Sequence, residues 1–395
     1  MAVLPVLLFA AVYTVIEDQS PLRAACEPSA ETIGKLPQGA QVEIRFALSG
    51  ELGTCYKISA GALTGYVPAN ALRGTGEFER ERNAAPTFDA PRAAPQLPPT
   101  KGGGDQVTQA SRLLSSNQPE RALTLLEQAL KANRRDANVL TMAGLAAYQS
   151  DRVRDAIGYW EEAQALASSP QVERLLAKAR IEADKDLSAQ KLIGIQFNFR
   201  YDDREIDPQA ARSLIPVLDS EFNRISSELG CRTEERMTVI VQSRQAYLQT
   251  TGAAEWSGGQ YDGRIRVALL EPQPGPETRR ALAHEIVHAC LARTGQWPAW
   301  LHEGLAQKLA GQTVPESSRA LVRQMARDKQ LPSLANMGQT FSRMSAQHAN
   351  AAYTTALMAA ERLYAHYGNA GVLSLINNPA SLAQIASDLD RRLRE

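Results

Sequence analysis

Apolar positions divide the chain into zones with different periods. Between residues 12 and 74 they come in short alternating runs: Tyr13-Thr14-Val15, Gln41 to Ile44, Tyr56-Lys57-Ile58 and Gly65-Tyr66-Val67. Period-two alternation punctuated by Gly and Pro predicts the short strands of a small all-β barrel. From 75 to 104 apolar residues thin out, and Pro86, Pro91, Pro95, Pro98, Pro99 and Gly102 to Gly104 predict a flexible, disordered linker. From 105 to 186 the period becomes helical and the pattern repeats. Ala110, Ala122, Leu126 and Ala129 recur as Gly144, Ala156, Trp160 and Ala163, each 34 residues later, and Gln171 to Asp186 adds a further helix. The zone 187–395 opens with Phe197, Phe199 and Tyr201 alternating as a strand. A helix from Gln209 to about Leu229 follows, with Gly230 as its natural end. Strands at Met237–Val241 and Arg264–Leu270 precede a run of helices that closes with Gln384 to Arg394. Strands before helices indicate an α+β domain.

Two of these zones resemble known modules. A 34-residue period of paired helices is similar to the tetratricopeptide arrangement, with small residues where helices approach and bulky ones between. An ordinary pair of helical hairpins is the plainer alternative. The resemblance implies two repeats with a capping helix, a short platform for a peptide or protein partner or for docking its own neighbours. In the first zone Leu36-Pro37-Gln38-Gly39 before a strand and Gly65-Tyr66-Val67 late in the order resemble bacterial SH3-like domains. The Asn-Val-Arg usual in that family is reduced to Leu22-Arg23. Association with the cell wall would follow from family analogy alone.

Charge narrows the partners: 43 Lys and Arg balance 43 Asp and Glu. Net neutrality removes the electrostatic case for nucleic acid or an anionic membrane surface. The apolar run over 1–11 is far below the roughly 20 residues a membrane span needs. It has the length of a cleaved signal segment but lacks a basic start and an Ala-x-Ala site, so a first strand is the alternative. Cys26 and Cys55 fall in the first zone, Cys231 and Cys290 in the last, and no CxxC occurs. Distant pairs suit an oxidising, periplasmic or extracytoplasmic compartment. A disulfide between Cys26 and Cys55, or two unlinked buried thiols, fits the barrel equally.

The chemistry concentrates after Pro276. Residues from there to Thr294 read as one helix, with proline at its start and Gly295 past its end. His284 and His288 are four apart, so both imidazoles leave one face with the spacing a single metal requires. Glu285 lies about 100° round the helix from His284, placed to take a proton from water polarised by zinc. A third ligand is needed. The chain turns through Gln296, Trp297 and Pro298 into a second helix, Trp300 to Leu309, which returns Glu303 to the metal with 14 residues between it and His288. A copper or purely structural zinc site would leave Glu285 idle.

The run Trp297-Pro-Ala-Trp-Leu-His-Glu-Gly-Leu-Ala306 resembles the Pro-x-Trp-Leu-x-Glu-Gly-Leu-Ala signature of the peptidase MA-like gluzincin metallopeptidases, whose HExxH precedes it by a similar gap. The likeness covers about residues 190 to 395 and is loose outside the two motifs. It implies Zn2+ held by His284, His288 and Glu303, with Glu285 as general base and acid. Gluzincins place an edge strand above the zinc, to which substrate adds as a further strand. Gly259 to Val267 occupies that place, but it lacks the glutamate with which aminopeptidases capture the substrate amine. Asp262 is the available substitute, and the balance favours an endopeptidase. A donor for the tetrahedral intermediate is expected from later helices. Tyr353 and His348 are the candidates, with a plain core role for Tyr353 as the alternative. His302 is expected to point elsewhere on its helix, Cys290 to be a packed core thiol, and Trp297 and Trp300 to fix the turn.

The sequence therefore reads as a multidomain chain: an SH3-like barrel over 12–74, a linker over 75–104, a tetratricopeptide pair over 105–186 and an α+β gluzincin-type metallopeptidase domain over 187–395. It suits a zinc endopeptidase of the bacterial cell envelope acting on a peptide or protein substrate. The alternative is a catalytically inactive envelope scaffold working through its repeats and SH3-like module.

Overall fold

In a computed structural model, residues 12–24, 30–50, 53–61, 63–76, 104–185, 189–232, 235–251, 253, 257–269, 274–331, 333–337, 341 and 346–394 are described. The candidate signal segment over 1–11, Cys26 and nearly all of the linker expected over 75–104 lie outside them. No helix among the described residues is long and apolar enough to cross a membrane.

Seven short antiparallel strands form the N-terminal sheet: β1 (Val12–Val15), β2 (Ser20–Arg23), β3 (Thr32–Leu36), β4 (Gln41–Gly50), β5 (Gly53–Ala60), β6 (Leu63–Pro68) and β7 (Leu72–Arg73). Their order is β3-β2-β6-β5-β4-β1-β7. Alternate residues, among them Val15, Leu22, Val42, Ile58 and Val67, fill a small core of their own. Cys55, fully buried, is disulfide-bonded. Three strands went unread in the sequence: Pro21 and Gly34 dilute the alternation of β2 and β3, and β7 is two residues long.

Five helices follow: α1 (Asp105–Ser115), α2 (Pro119–Ala132), α3 (Ala137–Gln149), α4 (Val153–Leu166) and α5 (Pro170–Lys185). The repeat is structural as well as sequential. The ends of α1 and α3, and both ends of α2 and α4, stand 34 residues apart. So do Asn117 and Asp151, which carry the left-handed turn of each hairpin at φ 52° and 64°. Gly144 is required by close packing, since a Cβ there would lie 2.3 Å from Nε1 of Trp160. That indole is fully buried and donates to the Thr141 carbonyl.

The C-terminal part holds a five-stranded sheet of order β11-β12-β10-β9-β8, built from β8 (Ala189–Ile193), β9 (Phe197–Asp202), β10 (Met237–Ser243), β11 (Gly259–Tyr261) and β12 (Ile265–Leu269). The three central strands run parallel and both edges antiparallel. The crossover helix α6 (Pro208–Leu229) is capped by Asp207, whose side chain accepts from the Gln209 and Ala210 amides, and ends at Gly230 with φ 67°. After α7 (Arg244–Thr251) come α8 (Pro276–Thr294), α9 (Ala299–Leu309), α10 (Glu316–Arg327), α11 (Ala346–Asn377, bent at Gly368) and α12 (Leu382–Arg394). One face of the sheet (Phe197, Phe199, Val239, Val241, Ile265, Val267) shares a core with these helices. The opposite face carries Arg200, Arg264 and Arg266. All three are buried, because the helical repeat covers them.

Candidate metal centre

Helix α8 runs through the core with its ligand-bearing turn facing α9. Residues either side of the motif (Leu282, Ala283, Ile286, Val287, Ala289) are buried, so the helix cannot rotate without exposing them. Cys290 does point away from the ligand face, but it is not the free thiol expected. It is joined to Cys231, just past the end of α6, at a Cα separation of 5.5 Å. The turn after α8 is held by Trp297, whose indole donates to Thr294 Oγ1 at 3.0 Å, and by fully buried Trp300.

This scaffold brings His284, His288 and Glu303 together. The two Nε2 atoms are 3.0 Å apart, and Oε2 of Glu303 lies 3.5 Å from that of His284 and 3.6 Å from that of His288. Among the described residues these three form the group able to hold a metal ion. A circle through three points so spaced has a radius of about 2.0 Å, within the Zn–N and Zn–O bond range of about 2.0–2.2 Å. Calcium, with bonds of about 2.3–2.6 Å and a preference for six to eight oxygens, does not suit the set. Two imidazoles and one carboxylate are the donors zinc takes when a fourth position stays open. The Glu303 side chain is 1% exposed while that of His284 is 19% exposed, so the triad opens to solvent past His284.

Glu303 is fixed from behind. Gln307, one turn on, donates from Nε2 to the carbonyls of both Glu303 and Tyr353, tying α9 to α11. Gly304 is what allows the two helices to approach, since a Cβ there would lie 2.3 Å from the Ala356 carbonyl oxygen. Tyr353 itself is half-buried, its ring edge-on to Phe341 at 5.2 Å between centroids. The side chain of His348 lies outside the described residues.

His302 departs from expectation. Rather than pointing elsewhere, its Nδ1 lies 3.2 Å from Nδ1 of His288, the nitrogen that does not face the triad. When His288 offers its Nε2 lone pair, Nδ1 carries the proton and donates it to His302, fixing the tautomer and ring plane of both.

Glu285 is buried beneath β11. A Cβ on Gly259 would lie 2.7 Å from its Cγ and 2.8 Å from Oε1, so the edge strand passes directly over the carboxylate. Ser257 donates to the Gly259 carbonyl and Tyr247 donates to Ser257 in turn. Burial, and secondarily the Glu285 charge, pushes the Tyr247 phenol well above its ordinary value, keeping it a donor. The ladder bonds of β11 to β12 fall at Gly258 and Asp262, so by alternation the amides of Gly259 and Tyr261 face the free edge. Asp262, the substitute considered for capturing a substrate amine, is unavailable for it: its carboxylate binds Lys178 at 2.7 Å and Arg266 at 3.2 Å under the repeat.

No protein-family model matches the chain, and no curated protein matches it in sequence.

Proposed function

We propose that this chain is a zinc-dependent peptidase of gluzincin type, an endopeptidase of the bacterial cell envelope, preceded by an SH3-like module and a tetratricopeptide pair. The observation that carries the reading is the His284–His288–Glu303 triangle, whose size suits one zinc ion, with the buried carboxylate of Glu285 beside it under an open sheet edge. Zinc held by His284, His288 and Glu303 would supply a Lewis acid that makes a water beside Glu285 more acidic. Glu285 accepts that water's proton as its oxygen attacks the peptide carbonyl carbon. It returns the proton to the amine nitrogen as the carbon–nitrogen bond breaks. Tyr353 on α11 is the candidate donor to the oxyanion. The outward amides of Gly259 and Tyr261 bind an extended substrate as an added strand. Commitment of Asp262 to the repeat removes the carboxylate the sequence offered for capture of a free amino terminus, which supports internal cleavage. The Cys231–Cys290 disulfide suits an oxidising compartment.

The test is zinc content together with cleavage of unfolded casein by wild type and Glu285→Gln. Equal cleavage by the two proteins would remove the peptidase reading and leave the inactive scaffold.

A further inference from the structure

The face of the sheet opposite the metal centre is buried against the helical repeat through charges rather than apolar side chains. Glu182 of α5 lies 2.9 Å from Arg264 and 2.6 Å from Arg266 and accepts from the Tyr148 hydroxyl. Lys178, one turn earlier on α5, binds Asp262 at 2.7 Å, and Arg266 binds it at 3.2 Å. Asp151, in the left-handed turn between α3 and α4, pairs with Arg200 of β9 and lies 3.5 Å from Arg264. The guanidinium of Arg264 stacks on the Tyr148 ring at 3.7 Å. Side chains of Glu182, Asp262, Arg264 and Arg266 are all under 5% exposed. At the tip of the hairpin the Gly263 backbone, with φ at 95°, packs on the Gln149 side chain of α3: a Cβ there would lie 2.5 Å from its Cγ.

What this network grips is the hairpin that carries the edge strand. Asp262 follows β11 directly, and Arg266 is the cross-strand partner of Gln260. The other end of β11, Gly259, lies on Glu285. Among the described residues β11 pairs with β12 alone, which leaves a three-residue edge strand dependent on what holds its ends.

We infer that the helical repeat is a positioning device for the substrate strand: Lys178 and Glu182 hold Asp262 and Arg266, and through them fix β11 over Glu285. This face of the repeat is thus occupied by its own chain and is not a free partner groove. The inference rests on the peptidase reading for its effect on substrate but not for its effect on β11. Buried charges bound on several sides keep a single geometry, because any other leaves an unpaired buried ion.

The test uses the full chain carrying Lys178→Met or Glu182→Gln, with Lys178→Arg as the conservative control. Zinc content, kcat and KM on unfolded casein, and amide exchange are measured for each. In Lys178→Met and Glu182→Gln, KM is expected to rise about tenfold or more with kcat and zinc content unchanged, since uniform binding is what is lost. The bonded amides of the hairpin, Gln260 and Asp262, are expected to exchange about tenfold faster while those of α8 keep their protection. Lys178→Arg is expected to restore both. Unchanged KM and unchanged β11 exchange would overturn the inference. So would an equal loss of protection in α8 and β11, which would make the network a general support of the fold. If wild type holds zinc yet cleaves nothing, the peptidase reading fails and the exchange pattern still decides whether the repeat positions β11.

Discussion

At His288 both ring nitrogens are committed, Nε2 to the triad and Nδ1 to His302 3.2 Å away. Removing a partner that orients a metal-bound imidazole costs about 10–100-fold in affinity. His302→Ala is therefore expected to weaken zinc binding by about that factor, read by competition with a chelating dye, while the fold is kept; unchanged affinity would deny His302 this role. His284 and His288 were legible because a four-residue spacing alone puts two side chains on one helical face. Glu303 needed more, a turn of the right length and the Trp-Leu-x-Glu-Gly likeness. His302 was misread because angular reasoning on a single helix sets it about 100° from Glu303. Only the crossing of α9 on α8 shows that this direction still ends at His288.

The ligand-bearing helix α8 is anchored as a unit by the Cys231–Cys290 bond, which closes a loop of 59 residues. On chain-entropy grounds a loop of that length is worth about 4 kcal/mol. Replacing both cysteines by alanine should lower stability by up to about that much in denaturant titration. A double variant as stable as oxidised wild type would contradict it. Cysteine positions carry no information on pairing, so an inert thiol was the natural reading of Cys290. The repeat helices were read closely because Gly144 against Trp160 is a local contact written into the 34-residue period. β11, three residues long with a glycine at its start, carried little pattern of its own.

Residues 105 to 394 are organised around the two faces of one sheet, an apolar face under the metal-bearing helices and a charged face under the repeat. Alternation made both faces legible but not what covers the second. The covering partners lie 49 to 118 residues away in sequence, beyond the reach of any local pattern. Burial pushes the Glu182 and Asp262 carboxyls up, but Arg264 and Arg266 on Glu182, and Lys178 with both arginines on Asp262, outweigh it and hold both below the ordinary range. A depressed folded value gives stability that is complete above the unfolded pKa of about 4 and is lost as pH falls through the folded value. The melting-temperature gap between wild type and Glu182→Gln should accordingly be constant from about pH 8 to 5 and close only below about pH 4. A gap that narrows near neutrality would place its origin elsewhere.

The central claim is that three side chains hold one zinc ion and a fourth moves the proton. It is tested most directly by measuring bound zinc and casein cleavage together in wild type, Glu285→Gln and Glu303→Ala. The expected result is one zinc per chain in wild type and in Glu285→Gln, loss of zinc in Glu303→Ala, and cleavage lowered about a hundred- to ten-thousand-fold in Glu285→Gln. Zinc retained at full affinity in Glu303→Ala, or undiminished cleavage in Glu285→Gln, would contradict it.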